Sequence, residues 1–404
     1  MRVLYICADA GIPLDGTKGA SVHVRQTIGA LARRGVDVTV LALRPGAPGQ
    51  VPGRVIPAEA LLARLQGKAG RPVAAQAAAL ASSGDLDRRL PFSPGDVDVI
   101  YERYSLWSLA GAVLAERLAA PLVLEVNAPL VQEQSRYRQV DPVDVALEIE
   151  TVLARRADAV LCVSSPLRER FARLRGSREG VYLSPNAVDL DQFHAAMADP
   201  GGTGWRRAGD VGIIFTGSFK PWHGVKDLLR AFALVVEHRN RTRLILVGDG
   251  PERGSLMRSA GEMNLGSNVT FTGAVSHREV PALLASAEIA VAPYRPQDDF
   301  YFSPLKLGEY LAAGLPVVAT TCGDLDRLLR DGVSCLRVPP GDVPALARAL
   351  DRLAGDADLR RLLGRAGRHV AEEHLSLAGA TDGLIRLLES LGDAHPADRR
   401  SVVQ

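Results

Sequence analysis

The sequence predicts an α/β chain built from two doubly wound parallel sheets, one after the other. Three observations carry that expectation. Unbroken apolar runs such as Arg2–Cys7 and Arg243–Val247 suit strands covered on both faces, as in parallel sheets. Helical stretches separate these runs, which is the spacing of βαβ units. A Pro/Gly break, Asp199-Pro-Gly-Gly-Thr-Gly204, divides the pattern into two blocks. At 404 residues the chain is long for one core and comfortable for two.

In the first block, Arg2–Cys7 runs into a loop that ends Gly16-Thr-Lys-Gly19-Ala-Ser21. A helix over about 20–34 places Val24, Ile28 and Leu31 on one stripe, and Gly35 stops it. Val36–Leu43 follows as a strand, completing a βαβ unit with glycines at its first turn. Residues 45–95, rich in Pro, Gly and Ala, yield only helical patches near 58–67 and 71–82. Strands return at Val97–Tyr101, Pro121–Val126, Ala159–Val163 and Val181–Leu183, with helices near 106–118 and 141–157. The second block has strands at Val211–Thr216, Arg243–Val247, Val269–Phe271, Ile289–Ala292 and Val317–Ala319. A helix lies near 224–238, and the chain is helical from about 342. The expected domains are 1–198 and 205–375, followed by a terminal helix over 376–392.

A net charge of +2, with 47% hydrophobic and 23% charged residues, is ordinary globular composition. It implies no field for nucleic acid and at most peripheral membrane contact. Four scattered cysteines (Cys7, Cys162, Cys322, Cys335) form no Cys-x-x-Cys pair. They point to a reducing compartment and away from zinc. No apolar run approaches the roughly 18 residues of a membrane helix. The N-terminus meets Asp9 too early for a signal peptide. A cytoplasmic protein is expected.

The richest stretch is 298–316. Ser303 reads as an N-cap and Pro304 as the first helical residue, with Gly314 as the stop and Pro316 barring re-entry. A helix start gathers unpaired amides and partial positive charge, which suit a phosphate. Lys306 adds a formal charge in the first turn. Glu309 lies about 9 Å further along the axis, the separation of a diphosphate from its ribose hydroxyls. The competing reading is a core helix with Lys306 and Glu309 as an i,i+3 pair.

Ligands of open α/β sheets bind beyond the carboxyl ends of the strands. In the first block that rule selects Asp9, the Gly16–Gly19 loop, Glu102, Arg103, Asn127, Ser164 and Ser165. In the second it selects Gly217–Gly224, Gly248-Asp-Gly250, Gly273, Tyr294 and residues 298–309. Two such edges suggest a ligand in a cleft between domains. Plainer readings accompany several pieces. The Gly16 and Gly19 spacing is not that of a dinucleotide site, Gly248 suits a turn, and His223 suits a helix start. Asn127 before Ala-Pro fits an Asx turn. Asp324-x-Asp326 opens a helix, where acids are expected anyway, and no metal site is assigned.

Six motifs in register resemble a GT-B-fold glycosyltransferase of family 4, the retaining nucleotide-sugar class (glycosyl transferases group 1). They are Gly-Thr-Lys-Gly-Ala-Ser at 16–21, Ser-Pro-Asn-Ala-Val-Asp at 184–189 and Gly-Ser-Phe-Lys-Pro-Trp-His-Gly at 217–224. Leu-Val-Gly-Asp-Gly-Pro-Glu at 246–252, Phe-Thr-Gly-Ala-Val-Ser-His at 271–277 and Glu-Tyr-Leu-Ala-Ala-Gly-Leu-Pro-Val-Val at 309–318 complete them. The resemblance covers nearly the whole chain. It implies two Rossmann-like domains facing a central cleft, the first for the acceptor and the second for the nucleotide sugar. The terminal helix would cross back to the first domain.

By that resemblance Glu309 would bond the ribose, and the Ser303-Pro304-Leu305-Lys306 turn and Gly248 would meet the donor. The backbone at Ala274 and Val275 would read the base, and Gly19 would touch the diphosphate. The family's Glu-x7-Glu motif has Tyr301 at its first position here, so Asp298 or Asp299 would substitute or the sugar preference would differ. Ser218 and His223 occupy the positions of the usual diphosphate-clamping Arg and Lys, leaving Lys220 and Lys306 as the cations. Asn127 replaces a His near the reacting carbon and would orient the donor sugar. His23, Glu102 and Arg103 are candidates for acceptor contact, each with a structural alternative. No cofactor and no metal are expected. The donor would be a nucleotide-diphosphate sugar, and the acceptor a polysaccharide, glycolipid or small natural-product sugar. Two alternatives stay open: a sugar-nucleotide 2-epimerase and a non-catalytic GT-B partner subunit. Base, donor sugar and oligomeric state are not assigned.

Overall fold

The computed structural model describes residues 1–58, 90–137, 143–198, 204–296, 301, 303–320 and 323–394. The expected patches at 58–67 and 71–82 lie almost wholly outside these residues, as do Asp298, Asp299 and Cys322. Contacts divide the chain into two compact units. The first comprises Met1–Pro185, Tyr301–Ser303 and the chain from Ala378, and the second Asn186–Phe300 with Pro304–Leu377. The second unit thus begins before the 199–204 break. The Leu190–Ala198 helix packs on the helices Val280–Ala285 and Leu305–Ala312, which places it with the second core.

The first sheet has strand order β3-β2-β1-β4-β5-β6-β7. Its strands are β1 (Arg2–Cys7), β2 (Asp37–Ala42), β3 (Arg54–Pro57), β4 (Val99–Arg103), β5 (Leu122–Val126), β6 (Ala159–Cys162) and β7 (Val181–Leu183), all in parallel register. Strand order reverses between β1 and β4, the switch point of a doubly wound sheet. Both faces of β1, β4 and β5 are buried, which is why these segments read as unbroken apolar runs. β3 was not expected. Only four residues long and half-exposed at the sheet edge, it gives no alternation to detect. The terminal helix Leu377–Asp393 belongs largely to this unit, burying Leu388 and Leu391 completely in its core. Each such leucine contributes roughly 1.5–3 kcal/mol.

The second sheet has order β10-β9-β8-β11-β12-β13. Its strands are β8 (Val211–Thr216), β9 (Thr242–Val247), β10 (Val269–Gly273), β11 (Ile289–Ala292), β12 (Val317–Thr320) and β13 (Leu336–Val338). All are parallel, and the order reverses between β8 and β11. Two glycine turns at the carboxyl end of this sheet lie back to back. Gly217 and Gly248 have φ of 129° and 135°, and a Cβ on Gly248 would lie 2.0 Å from the Gly217 carbonyl oxygen. Any side chain there would part the loops after β8 and β9.

Candidate active site

Three side chains of the short helix Leu305–Ala312 reach out to the end of β8 and to the segments that follow β8 and β10. Gly314, at φ 65°, ends the helix as expected. Its start differs from expectation: Pro304 is the N-cap, with extended ψ of 114°, and no side chain caps the turn. Ser303 groups with the first unit, so the helix begins one residue later.

Lys306 and Glu309 do not form the i,i+3 pair. The Lys306 ammonium is enclosed 3.9 Å above the Phe215 ring and 5.4 Å from that of Tyr294. It bonds to no acceptor among the described residues. A Cβ on Gly217 would lie 2.7 Å from Nζ, so the cation sits directly against the turn after β8. Burial lowers its pKa to about 7, with Glu309 pulling the other way. An ammonium held by ring faces alone is poorly compensated. Glu309, 7% exposed, instead accepts from His277 Nε2 at 2.8 Å. The third side chain, Tyr310, is fully buried, and its hydroxyl accepts from the Thr216 amide at 2.7 Å. That bond ties the helix to the end of β8.

His223 and Ser218 supply no charge. The imidazole Nδ1–H donates to the Ser218 carbonyl oxygen, leaving Nε2 as a lone pair. Burial pushes His223 down to about 3, and nearby Lys306 pushes the same way, so it is neutral. The enclosed cation of the site therefore comes from the helix, and Ser218 and His223 leave Lys220 as the charge of the 217–224 loop. Lys220 is exposed, with its ammonium 4.9 Å from the Trp222 ring. Gly248 forms the turn described above, and Val275 is half-exposed in the loop after β10. Asp298 and Asp299, the two candidates to replace the missing glutamate, fall outside the described residues. Tyr301 is a correction. Its side chain is buried in the hydrophobic core of the first unit, because an aromatic ring gains more from that core than a carboxylate would.

In the first unit, Glu125 at the end of β5 is the hub of a buried polar cluster. It accepts from His23 Nε2 at 2.6 Å and from Arg103 Nη1 at 3.2 Å, and Tyr101 also bonds to it. Burial would raise its pKa, but His23 and then Arg103 outweigh burial and hold it at about 2. His23 and Arg103 are thus brought together, on the helix Gly19–Arg33 and on β4. Gly19 is the exposed first residue of that helix. Asn127 follows β5, and its buried Nδ2 has no acceptor among the described residues.

Glu102 is not available for acceptor contact. It is 0% exposed and accepts from Ser108 Oγ at 2.7 Å and the Gly111 amide at 3.1 Å, holding the start of the helix Ala110–Leu118. Burial pushes its carboxyl up to about 7, against both hydrogen bonds. The folded state therefore keeps a proton that the unfolded chain has lost. Stability falls as pH rises through about 4 to 7, by roughly 3 kcal/mol in all. Glu102→Gln is expected to flatten that decline, so its thermal midpoint should exceed wild type at pH 8 but not at pH 4.

Glu125 and His277 were not singled out by sequence. Glu125 sits within an apolar strand run, with nothing local to mark it. His277 did carry a signal: Ser276-x-x-Glu279 is a capping box, which the structure forms, and that fixes His277 as the first residue of a turn. No group of three metal-ligating side chains forms among the described residues. No helix among them is long and apolar enough to cross a membrane.

Comparison with known proteins agrees with this fold. The family model described as "Glycosyl transferases group 1" matches residues 210–356, and that described as "Glycosyltransferase Family 4" matches residues 17–192. The D-inositol 3-phosphate glycosyltransferase of Saccharomonospora viridis is 28% identical, over 92% of this chain and 90% of its own. The alpha-D-kanosaminyltransferase of Streptomyces kanamyceticus is 25% identical over 69% of this chain and 73% of its own. The crystal structure of Anabaena HepE in complex with UDP and glucose superposes with a TM-score of 0.72 at 20% identity, covering 97% of this chain and all of that one. Two parallel-sheet units and matches across both define a GT-B transferase. The chain belongs to the family 4, group 1 glycosyltransferases, which work from nucleotide-sugar donors.

Proposed function

We propose that the protein is a retaining glycosyltransferase that moves a sugar from a nucleotide diphosphate to an acceptor hydroxyl without a metal. The enclosed Lys306 ammonium, set against the Gly217 turn at a helix start, carries this reading. A buried ammonium with no hydrogen-bond acceptor among the described residues is arranged for an anion. The second unit binds the donor: Glu309 takes the ribose, the loop at Ala274 and Val275 takes the base, and the Pro304-Leu305-Lys306 turn takes the phosphates. As the sugar–phosphate bond loosens, charge grows on the leaving group. Lys306, Lys220 and the helix amides stabilise it, which is binding of the transition state rather than the ground state. With retention, the leaving phosphate oxygen takes the acceptor proton, and no protein nucleophile is needed. Asn127 orients the donor sugar, and His23 and Arg103 belong to the acceptor-binding unit. The acceptor is a carbohydrate, a glycolipid or a small natural-product sugar, and the site of action is the cytoplasm.

Thermal-shift titration with UDP, GDP, TDP and ADP, with and without magnesium, tests the donor site. Binding raises the midpoint by mass action. One nucleotide should do so without magnesium, and Glu309→Ala should abolish the shift. A shift that requires magnesium would overturn the metal-free assignment, and no shift at all would favour a non-catalytic partner.

A further inference from the structure

We infer that His277 is a positioning residue that couples recognition of the base to recognition of the ribose. The inference rests on the donor-site reading above, in which Glu309 meets the ribose. His277 donates from Nε2 to Glu309 Oε1 at 2.8 Å. A carboxylate oxygen only accepts, so the imidazole carries its proton on Nε2 in that bond. Glu309 Oε2 takes no hydrogen bond from the described residues and is the oxygen left for a hydroxyl pair. The backbone that carries the imidazole is held by the turn. His277 opens the short turn His277–Glu279, whose capping box is closed on both sides, with the Ser276 amide donating to Glu279 Oε2 at 2.8 Å.

That turn leads directly into the helix Val280–Ala285 and follows the Gly273–Ser276 loop assigned to the base. Glu309 sits on a different element, the helix that carries Lys306. One hydrogen bond therefore joins the base-reading loop to the ribose-reading carboxylate. It fixes the Glu309 rotamer and holds the loop at the same time. A histidine that merely satisfied a buried carboxylate would affect stability. It would not discriminate between ligands with and without ribose hydroxyls.

The test uses whichever of UDP, GDP, TDP and ADP binds wild type, alongside its 2′,3′-dideoxy analogue, by titration calorimetry. His277→Ala should weaken the nucleotide roughly tenfold, the worth of one buried charged hydrogen bond. His277→Gln, whose amide can donate to the same oxygen, should restore affinity to within about twofold of wild type. The dideoxy analogue should lose clearly less affinity than the nucleotide in His277→Ala, because only the loop's share of the coupling remains for it. If Glu309→Ala weakens the nucleotide while His277→Ala does not, the inference is overturned and the donor site stands. Equal weakening of nucleotide and dideoxy analogue by His277→Ala would show a merely structural role and also overturn it. If Glu309→Ala leaves nucleotide affinity unchanged, the ribose assignment itself fails, and the inference with it.

Discussion

Lys306→Met is expected to yield a more stable protein and a nearly inactive enzyme. The ammonium is enclosed by Phe215 and Tyr294 without a hydrogen-bond acceptor among the described residues, and burial has pulled its pKa down to about 7. Methionine fills similar volume, packs on the same rings and needs no solvation. Removing the poorly compensated charge should stabilise the ligand-free protein by about 2 kcal/mol at pH 7, a rise of several degrees in midpoint. The sign follows from proton linkage. Between about pH 7 and 10.5 the unfolded chain keeps the lysine proton and the folded state does not, so wild-type stability rises across that window. The variant should lack that rise. Turnover should fall roughly 10²–10³-fold, as when one preorganised donor to a developing anion is lost. Unfolding scans from pH 6 to 10 and a donor-consumption assay test both halves. A destabilised, fully active variant would remove Lys306 from the site.

The second large effect is expected at Glu125. Removing the carboxylate by Glu125→Ala strands the buried Arg103 guanidinium, and uncompensated charge of that kind costs about 3–5 kcal/mol. Hydrogen–deuterium exchange at β4 and β5 reports this unit alone and should show greatly accelerated opening. The pH dependence supplies an independent check. A folded pKa near 2, below the ordinary carboxylate value of about 4.3, contributes stability that is present above pH 4.3. That contribution is lost as pH falls through 4 toward 2. Wild type should therefore lose protection steeply in that window and Glu125→Ala should not. A variant with wild-type protection would mean that the cluster is held by packing, not by charge.

How much of this was legible beforehand depends on the range of the interaction. Apolar runs announced the strands of both sheets, because parallel strands are buried on both faces and leave an unbroken local signature. Gly314 announced the end of its helix, because a left-handed turn is written in one residue. β3 and β13, strands of four and three residues, escaped. The strand-end rule picked out the glycine turns at 217–224 and 248–250 and the segment 298–309, since each is contiguous in sequence.

What the motifs lacked was direction. Lys306 and Glu309 are three residues apart on one helix, and sequence alone allowed them to pair. Tertiary structure sends the lysine to the turn after β8 and the glutamate to His277, 32 residues away. Glu102 and Glu125 look alike as acids at the ends of neighbouring strands. One holds a proton above a helix start, and the other is ionised between Arg103 and His23. The sequence by itself determined the two-sheet fold, the family and the strand ends at which chemistry gathers, because these follow from local pattern. The pairing and protonation of each charged side chain were decided by the tertiary structure, because they depend on partners distant in the chain and on the degree of burial.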